Sequence, residues 1–229
     1  MARKGKTIMQ AQAIRALAPM AWVTSSLRME AKDERAVLKV EQVPQIIEAA
    51  SQGHFWAPLD DMAPVMAAFI RAWLMDGDIR QYQESFEGKE VPIMEVYEQA
   101  CRDHQAGHRR PAAFGFVISY CYGRVTAPTN PHLPALFGLA SIAAGADARD
   151  LSDRICHWLI EHELAHPRVY LLLGLNALER DQVAEARRHL MQVAQRGRHN
   201  PKYREDQHTA QRILIGIQFG IMPNESQEG

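Results

Sequence analysis

The stretch HPRVYLLLGLNALERDQVAEARRHLMQVAQ, residues 166 to 195, predicts a helical hairpin. Pro167 suits the first position of a helix, where its missing N–H is not needed. Apolar residues then recur at helical spacing, first to about Arg180 and again from Val183 to Gln195. Each helix of such a pair presents an apolar face that a neighbouring element must cover.

The hairpin pattern recurs in the C-terminal half of the chain. X-Pro dipeptides at residues 130–131, 166–167 and 200–201 place prolines 36 and then 34 residues apart. A period in the mid-thirties on helical sequence is typical of a helical repeat. Aligning Pro131 with Pro167 matches Gly138 with Gly174. The helices predicted here are residues 131–144, 148–164, 167–180, 183–195 and a capping helix 201–220.

The second hairpin resembles the tetratricopeptide repeat. The residues that carry the resemblance are Tyr170 at the large aromatic position, Leu173, Gly174, Ala177, Ala186 and Leu190. The first unit departs from the family pattern, with Pro134 where the aromatic residue belongs and Leu151 one place late. Together with the helix that follows Asn200, the second hairpin is similar to the C-terminal part of class II type III secretion chaperones. Those are cytosolic tetratricopeptide proteins that hold translocator subunits before export, so the resemblance implies a concave apolar groove and no enzymatic activity.

One face of the first helix in each hairpin is apolar and corresponds to the concave side in tetratricopeptide proteins. The residues predicted to line this partner-binding groove are Ala135, Leu139, Ile142, Leu171, Leu175 and Leu178. An apolar groove suits a hydrophobic peptide or an amphipathic helix. The alternative is that N-terminal helices fill the groove, which makes these residues part of the core.

The N-terminal half lacks a repeat, and residues 1–110 are predicted as an irregular helical region. Val37 to Val40 is either helical or extended. The aromatic run from Pro111 to Tyr122 has strand-like composition, but helix is favoured because no strand partner lies nearby. The predicted domains are 1–110, a repeat region 111–222 and a disordered tail 223–229. Helices are predicted at 7–30, 44–50, 62–75, 79–86, 91–104 and 111–122.

The repeat region also contains a zinc-peptidase pattern. His162 and His166 are four residues apart, which on one helix lets both imidazoles bind Zn²⁺, with Glu163 as general base. Glu179 and His189 are candidate third ligands. However, Pro167 pushes His166 out of the helical conformation. We therefore predict no metal, no cofactor and no catalytic residues, and keep a zinc metallopeptidase as the alternative.

Composition sets the remaining expectations. The 229 residues carry a net charge of -1, which gives no sign of nucleic acid as a partner. A modest basic surface is predicted from Arg187, Arg188, Arg196, Arg198 and Lys202, and it is interpreted as a solvated helix face or as a site for an acidic partner segment. Three separated cysteines favour a reducing compartment, and no apolar run is long enough to span a membrane. A cytoplasmic location follows as an expectation.

The sequence thus predicts an all-α, non-enzymatic protein that binds another protein. A chaperone or adaptor of the secretion-chaperone type is the leading interpretation, and a homo-oligomer is possible. The further alternative is a structural or regulatory subunit of a larger assembly.

Overall fold

The chain is largely helical, with one small antiparallel sheet, in a computed structural model. The structure describes residues 37–74, 79–86, 88, 90–126, 132–162, 166–197 and 200–219. The all-α prediction is confirmed at this coarse level. The predicted helix at 7–30 and the predicted tail at 223–229 lie outside the described residues.

The chain forms two compact units. The described part of the larger unit spans residues 37–158, and that of the smaller unit spans residues 159–219. The predicted boundary between residues 110 and 111 falls inside the larger unit, at the start of a helix. The strands and α-helices described in this unit are β1 (Val37–Lys39), α1 (Val43–Ser51), α2 (Ala63–Leu74), α3 (Ile79–Glu84), β2 (Glu90–Pro92), α4 (Ile93–Gln105), α5 (Arg109–Thr126) and α6 (Leu133–Gly145), with α7 (Arg149–Glu161) crossing its end. Two 3₁₀ helices, Val40–Gln42 and Ala57–Met62, lie between them.

The centre of the larger unit is α5, the aromatic run whose strand-like composition left its structure in question. It is a helix, and every residue from 112 to 121 is buried. It packs against α1, α2, α4 and α6, so a helix apolar on all sides has neighbours on all sides. Trp56 stacks on Tyr120 of α5, with ring centroids 5.2 Å apart, and the Trp56 Nε1–H donates to the Ala50 carbonyl.

Small residues and one polar contact fix the helices around α5. A Cβ on Gly115 would lie 2.5 Å from the Cβ of Ala100, so only glycine allows α4 and α5 to cross this closely. A Cβ on Gly138 of α6 would likewise come too close to a neighbour, lying 2.7 Å from the ring of Phe116 in α5. Between α4 and α6, the buried side chains of His104 and Ser141 form a hydrogen bond of 3.1 Å. Burial lowers the pKa of His104 to about 4, so the ring is neutral at ordinary pH.

The single helix predicted over residues 91–104 is wrong at its start. Residues 90–92 form β2, which pairs antiparallel with β1, with Leu38 opposite Val91. Both of these side chains are buried, while their neighbours along each strand are exposed. Pro92 then leads into α4 from an extended conformation. The extended alternative for residues 37–40 is the one observed for residues 37–39.

The smaller unit contains the second predicted hairpin and its capping helix. Pro167 opens its first helix as predicted, and the capping helix begins with a 3₁₀ turn at Pro201–Tyr203. Gly174 gives the two hairpin helices close approach, because a Cβ there would lie 3.0 Å from the Leu190 side chain. The α-helices are α8 (Pro167–Glu179), α9 (Val183–Gly197) and α10 (Arg204–Phe219), and α10 packs against both α8 and α9.

Two helix–turn–helix segments recur in the chain with a spacing of 34 residues. α6 spans 133–145 and α8 spans 167–179, while α7 begins at 149 and α9 at 183. The turns share one conformation: Asp147 and Asp181 both have φ of 61°. The next N–H in each turn, from Ala148 and Gln182, donates to the carbonyl five residues back at 2.9 Å.

This spacing corrects the alignment of Pro131 with Pro167, which is two residues out. The equivalent of Pro167 is Leu133, because α6 starts there. Pro134 is the second residue of α6. It is tolerated there because the N–H groups of the first turn have no partner within the helix. Leu136, and not Pro134, therefore stands at the position of Tyr170.

Candidate functional site

The His-Glu-x-x-His sequence lies across the junction of two helices. α7 ends at Glu161, His162 follows in an exposed turn, and Glu163 lies outside the described residues. His166 has an extended backbone, with φ -79° and ψ 142°, and precedes α8. The two histidines are therefore not one turn apart on a single helix, which is the geometry that the zinc-peptidase alternative requires.

His166 caps α8 instead. Its Nδ1 accepts a hydrogen bond of 3.2 Å from the backbone N–H of Arg168, and its ring meets Tyr203 edge-on at 4.5 Å. Burial, with the positive charges of Arg168 and Lys202, lowers the pKa of His166 to about 4. A neutral imidazole can accept this bond. In the part of the chain that the structure describes, no three His, Cys, Asp or Glu residues are grouped so as to hold a metal.

A buried ion pair ties the capping helix to the hairpin. The Nε of Arg168 in α8 lies 3.2 Å and 3.0 Å from the two carboxylate oxygens of Asp206 in α10. The side chains are 3% and 1% exposed. Burial raises the pKa of Asp206, and the Arg168 guanidinium opposes that rise. Such a pair fixes the position of α10 only while both charges are present.

The predicted groove residues are mostly inaccessible. Leu175 is half-buried, and the other five are buried: Ala135, Leu139, Ile142, Leu171 and Leu178. With the 34-residue spacing, Ala135 corresponds to Val169 and not to Leu171, so the two predicted triplets do not occupy equivalent positions. The structure therefore places these side chains in the manner of core residues, and their role in binding a partner stays a prediction.

The basic surface predicted on α9 is present on the outside of that helix. Arg187 and Arg188 are exposed, as is Lys202 beyond the helix, whereas Arg198 lies outside the described residues. Arg196 makes a cation–π contact within the smaller unit, because its guanidinium carbon lies 4.9 Å from the centre of the Tyr170 ring. The arrangement fits a solvated helix face, which was the simpler of the two interpretations.

The last two turns of α10 expose apolar side chains that the sequence analysis did not single out. Ile215 is 56% exposed and Phe219 is 62% exposed. Four residues apart on a helix, they share one face. The signal was present in RILIGIQF, residues 212–219, which contains more apolar residues than one buried helix face can hold. We call Ile215 and Phe219 the α10 apolar patch.

A cleft in the larger unit was also missed. Its lining comes from segments separated in sequence, α3, β2, α4 and the start of α5, and no local pattern brings them together.

Comparison with known proteins gives no match, whether to models of protein families, to curated proteins or to solved structures. None of the helices described is both long and apolar enough to cross a membrane.

Proposed function

We propose that the protein is a non-enzymatic protein-binding module of the tetratricopeptide type, acting in the cytoplasm as an adaptor or a secretion-type chaperone. The observation that carries the proposal is the 34-residue recurrence of a helix–turn–helix with the same left-handed aspartate in both turns. Helical hairpins that recur at this spacing are typical of scaffolds that bind other proteins. The three cysteines are free buried thiols, which fits a reducing compartment.

The corrected alignment supports the tetratricopeptide interpretation. Across the described residues of the two helix–turn–helix segments, no buried residue has an exposed residue 34 positions away from it. Ala140 stands where Gly174 lets the second helix approach. The buried pairs are Leu136 with Tyr170, Leu139 with Leu173, Ala143 with Ala177, Ser152 with Ala186, and Cys156 with Leu190.

The contact surface proposed for the partner is the α10 apolar patch. The first helix of each helix–turn–helix segment is almost wholly buried, so these helices offer a partner little area. Ile215 and Phe219, by contrast, are largely exposed at the end of the capping helix. A surface of this kind fits the apolar side of an amphipathic helix in the partner.

Co-purification of the tagged full chain from its own cells tests the proposal. The variant Ile215→Glu with Phe219→Glu should release a stoichiometric partner that the wild type retains. The matched control is Met191→Glu, which replaces an exposed apolar side chain by a charge on α9, outside the α10 apolar patch. Circular dichroism should show that all variants keep their helices.

Three outcomes separate the possible binding surfaces. Release by Leu175→Glu but not by the α10 variant would move the contact to the predicted groove. A bound chain that proves to be a second copy, by light scattering, would make the patch an oligomer interface. A partner retained by every variant would reject both surfaces.

A further inference from the structure

The larger unit contains a cleft of about 550 Å³ between α3, β2, α4 and the first turn of α5. Sites for small organic ligands have volumes of this order, roughly 300–1,000 Å³. The proposed protein-binding function makes no use of this cleft.

One wall of the cleft is a preformed aromatic cluster. The ring of Tyr82 stacks on Phe114, with centroids 5.2 Å apart, and meets Phe86 nearly at right angles at 5.1 Å. Tyr82 and Phe114 are buried, whereas Phe86 is half-buried. The Phe86 ring is therefore held in place by its neighbours and still has surface to offer a ligand.

Carboxylates face this wall. Glu90 and Glu95 line the cleft at exposed positions, and Asp103 lines it half-buried. Asp103 also influences the aromatic cluster electrostatically. The pKa of Tyr82 is raised mainly by burial and, to a smaller extent, by the negative charge of Asp103. A negative charge beside aromatic rings is the environment that organic cations prefer.

Two arginines also line the cleft, but they do not reverse its charge. The Nε and Nη2 of Arg102 donate to the Oε1 of Gln99, and its Nη1 lies 4.0 Å from Glu98 on the same helix. The Arg102 guanidinium is thereby held against α4, with the Glu98 carboxylate as its neighbour of opposite charge. Arg110 is the second, so carboxylates outnumber guanidinium groups in the lining by three to two.

We propose that the cleft binds an organic cation, an alkylammonium group carried on an apolar or aromatic body. The ammonium donates to Asp103, with Glu95 nearby, and the body packs on Phe86. An ammonium group has donors and no acceptor, which matches a wall of carboxylates, and its charge is attracted to the aromatic faces. A free amine and a lysine side chain of a peptide share this chemistry.

Calorimetric titration of the full chain tests the inference with two probes of equal size and opposite charge. Phenethylammonium should bind with a dissociation constant of about 1 mM or lower, and phenylacetate should bind at least about tenfold more weakly. N-acetyl-lysine amide identifies the source: binding as tight as that of phenethylammonium points to a lysine side chain, and weaker binding points to a free aromatic amine.

Variants assign the contacts. Asp103→Asn should weaken phenethylammonium binding about tenfold, and Glu95→Gln should weaken it by a smaller factor. Asp103 also accepts a hydrogen bond from Gln99, so the Glu95 variant keeps the test valid if Asp103→Asn perturbs α4. Glu41→Gln, which removes an exposed charge outside the cleft, should leave binding unchanged.

Two results would overturn the inference. If phenylacetate binds as tightly as phenethylammonium, the arginines set the preference of the cleft. If no cation saturates the protein by about 10 mM, the cleft has no useful affinity for this class. Neither result bears on the protein-binding function, which is tested on α10.

Discussion

Neutralising Asp206 should destabilise the smaller unit by about 3–5 kcal/mol, the usual cost of removing one partner of a buried ion pair. Asp206→Asn keeps the shape of the side chain but leaves the Arg168 guanidinium buried without its counter-charge. Its Nη1 already lacks a hydrogen-bond partner among the described residues. A loss of this size is a large share of the roughly 5–15 kcal/mol that stabilises a typical domain.

An exposed ion pair provides the control. Arg154 and Asp61 are closer, at 2.7 Å, but their side chains are 39% and 87% exposed. Asp61→Asn should therefore cost less than about 1 kcal/mol, because water replaces the lost partner. Burial, and not the distance between the atoms, should decide which substitution is severe.

Urea unfolding followed by circular dichroism measures both changes, and amide hydrogen exchange locates the effect in α10. The double variant Arg168→Met with Asp206→Leu should recover most of the stability, because it leaves no buried charge. The reasoning is refuted if Asp206→Asn costs no more than Asp61→Asn, or if the double variant is as unstable as the single one.

Three further predictions follow from the packing and the histidines. Gly115→Ala should lower the free energy of unfolding by about 1–3 kcal/mol, because the new Cβ meets Ala100 across a helix crossing. Gly145→Ala should be near neutral in the same urea assay, because its Cβ meets only the exposed side chain of Arg109, at 3.3 Å. Burial lowers the pKa of His104 from 6.5 to about 4, so the contribution of the neutral ring to stability is present above pH 6.5 and is lost as pH falls towards 4. Thermal melts across this range should show the loss, and His104→Gln should make the melting temperature less dependent on pH. Elemental analysis of the purified protein should find no stoichiometric zinc, and zinc that disappears in His162→Ala would reinstate the peptidase alternative.

Local signals in the sequence were sufficient for the helices of the smaller unit. Pro167 marked the start of α8, since a proline at the first position of a helix needs no donor and restricts the residue before it. The same rule misplaced the first hairpin, because Pro134 within the first turn of α6 is equally acceptable there. Two prolines close together left the start of the helix undetermined by two or three residues.

Non-local features were beyond the sequence patterns. β2 was absorbed into a predicted helix because Ile93, Val96 and Tyr97 recur at helical spacing directly after Val91, and because the partner strand of β2 is far away in the chain. The groove prediction selected apolar residues of α6 and α8, but the sequence could not say whether other parts of the chain cover them. Periodicity shows that a face is apolar, and only the packed chain shows how much of it remains exposed.

The pairing of β1 with β2 has a consequence for the order of folding. The α8–α9 hairpin joins helices separated by a short turn, and such local contacts close quickly and at small entropic cost. Val37 and Pro92, in contrast, are far apart in sequence, and the intervening chain contains α1, α2 and α3. Pairing them closes a long loop, which costs more entropy than a short turn. We therefore expect the two strands to pair late in folding, and substitutions at Leu38 or Val91 to speed unfolding far more than they slow folding.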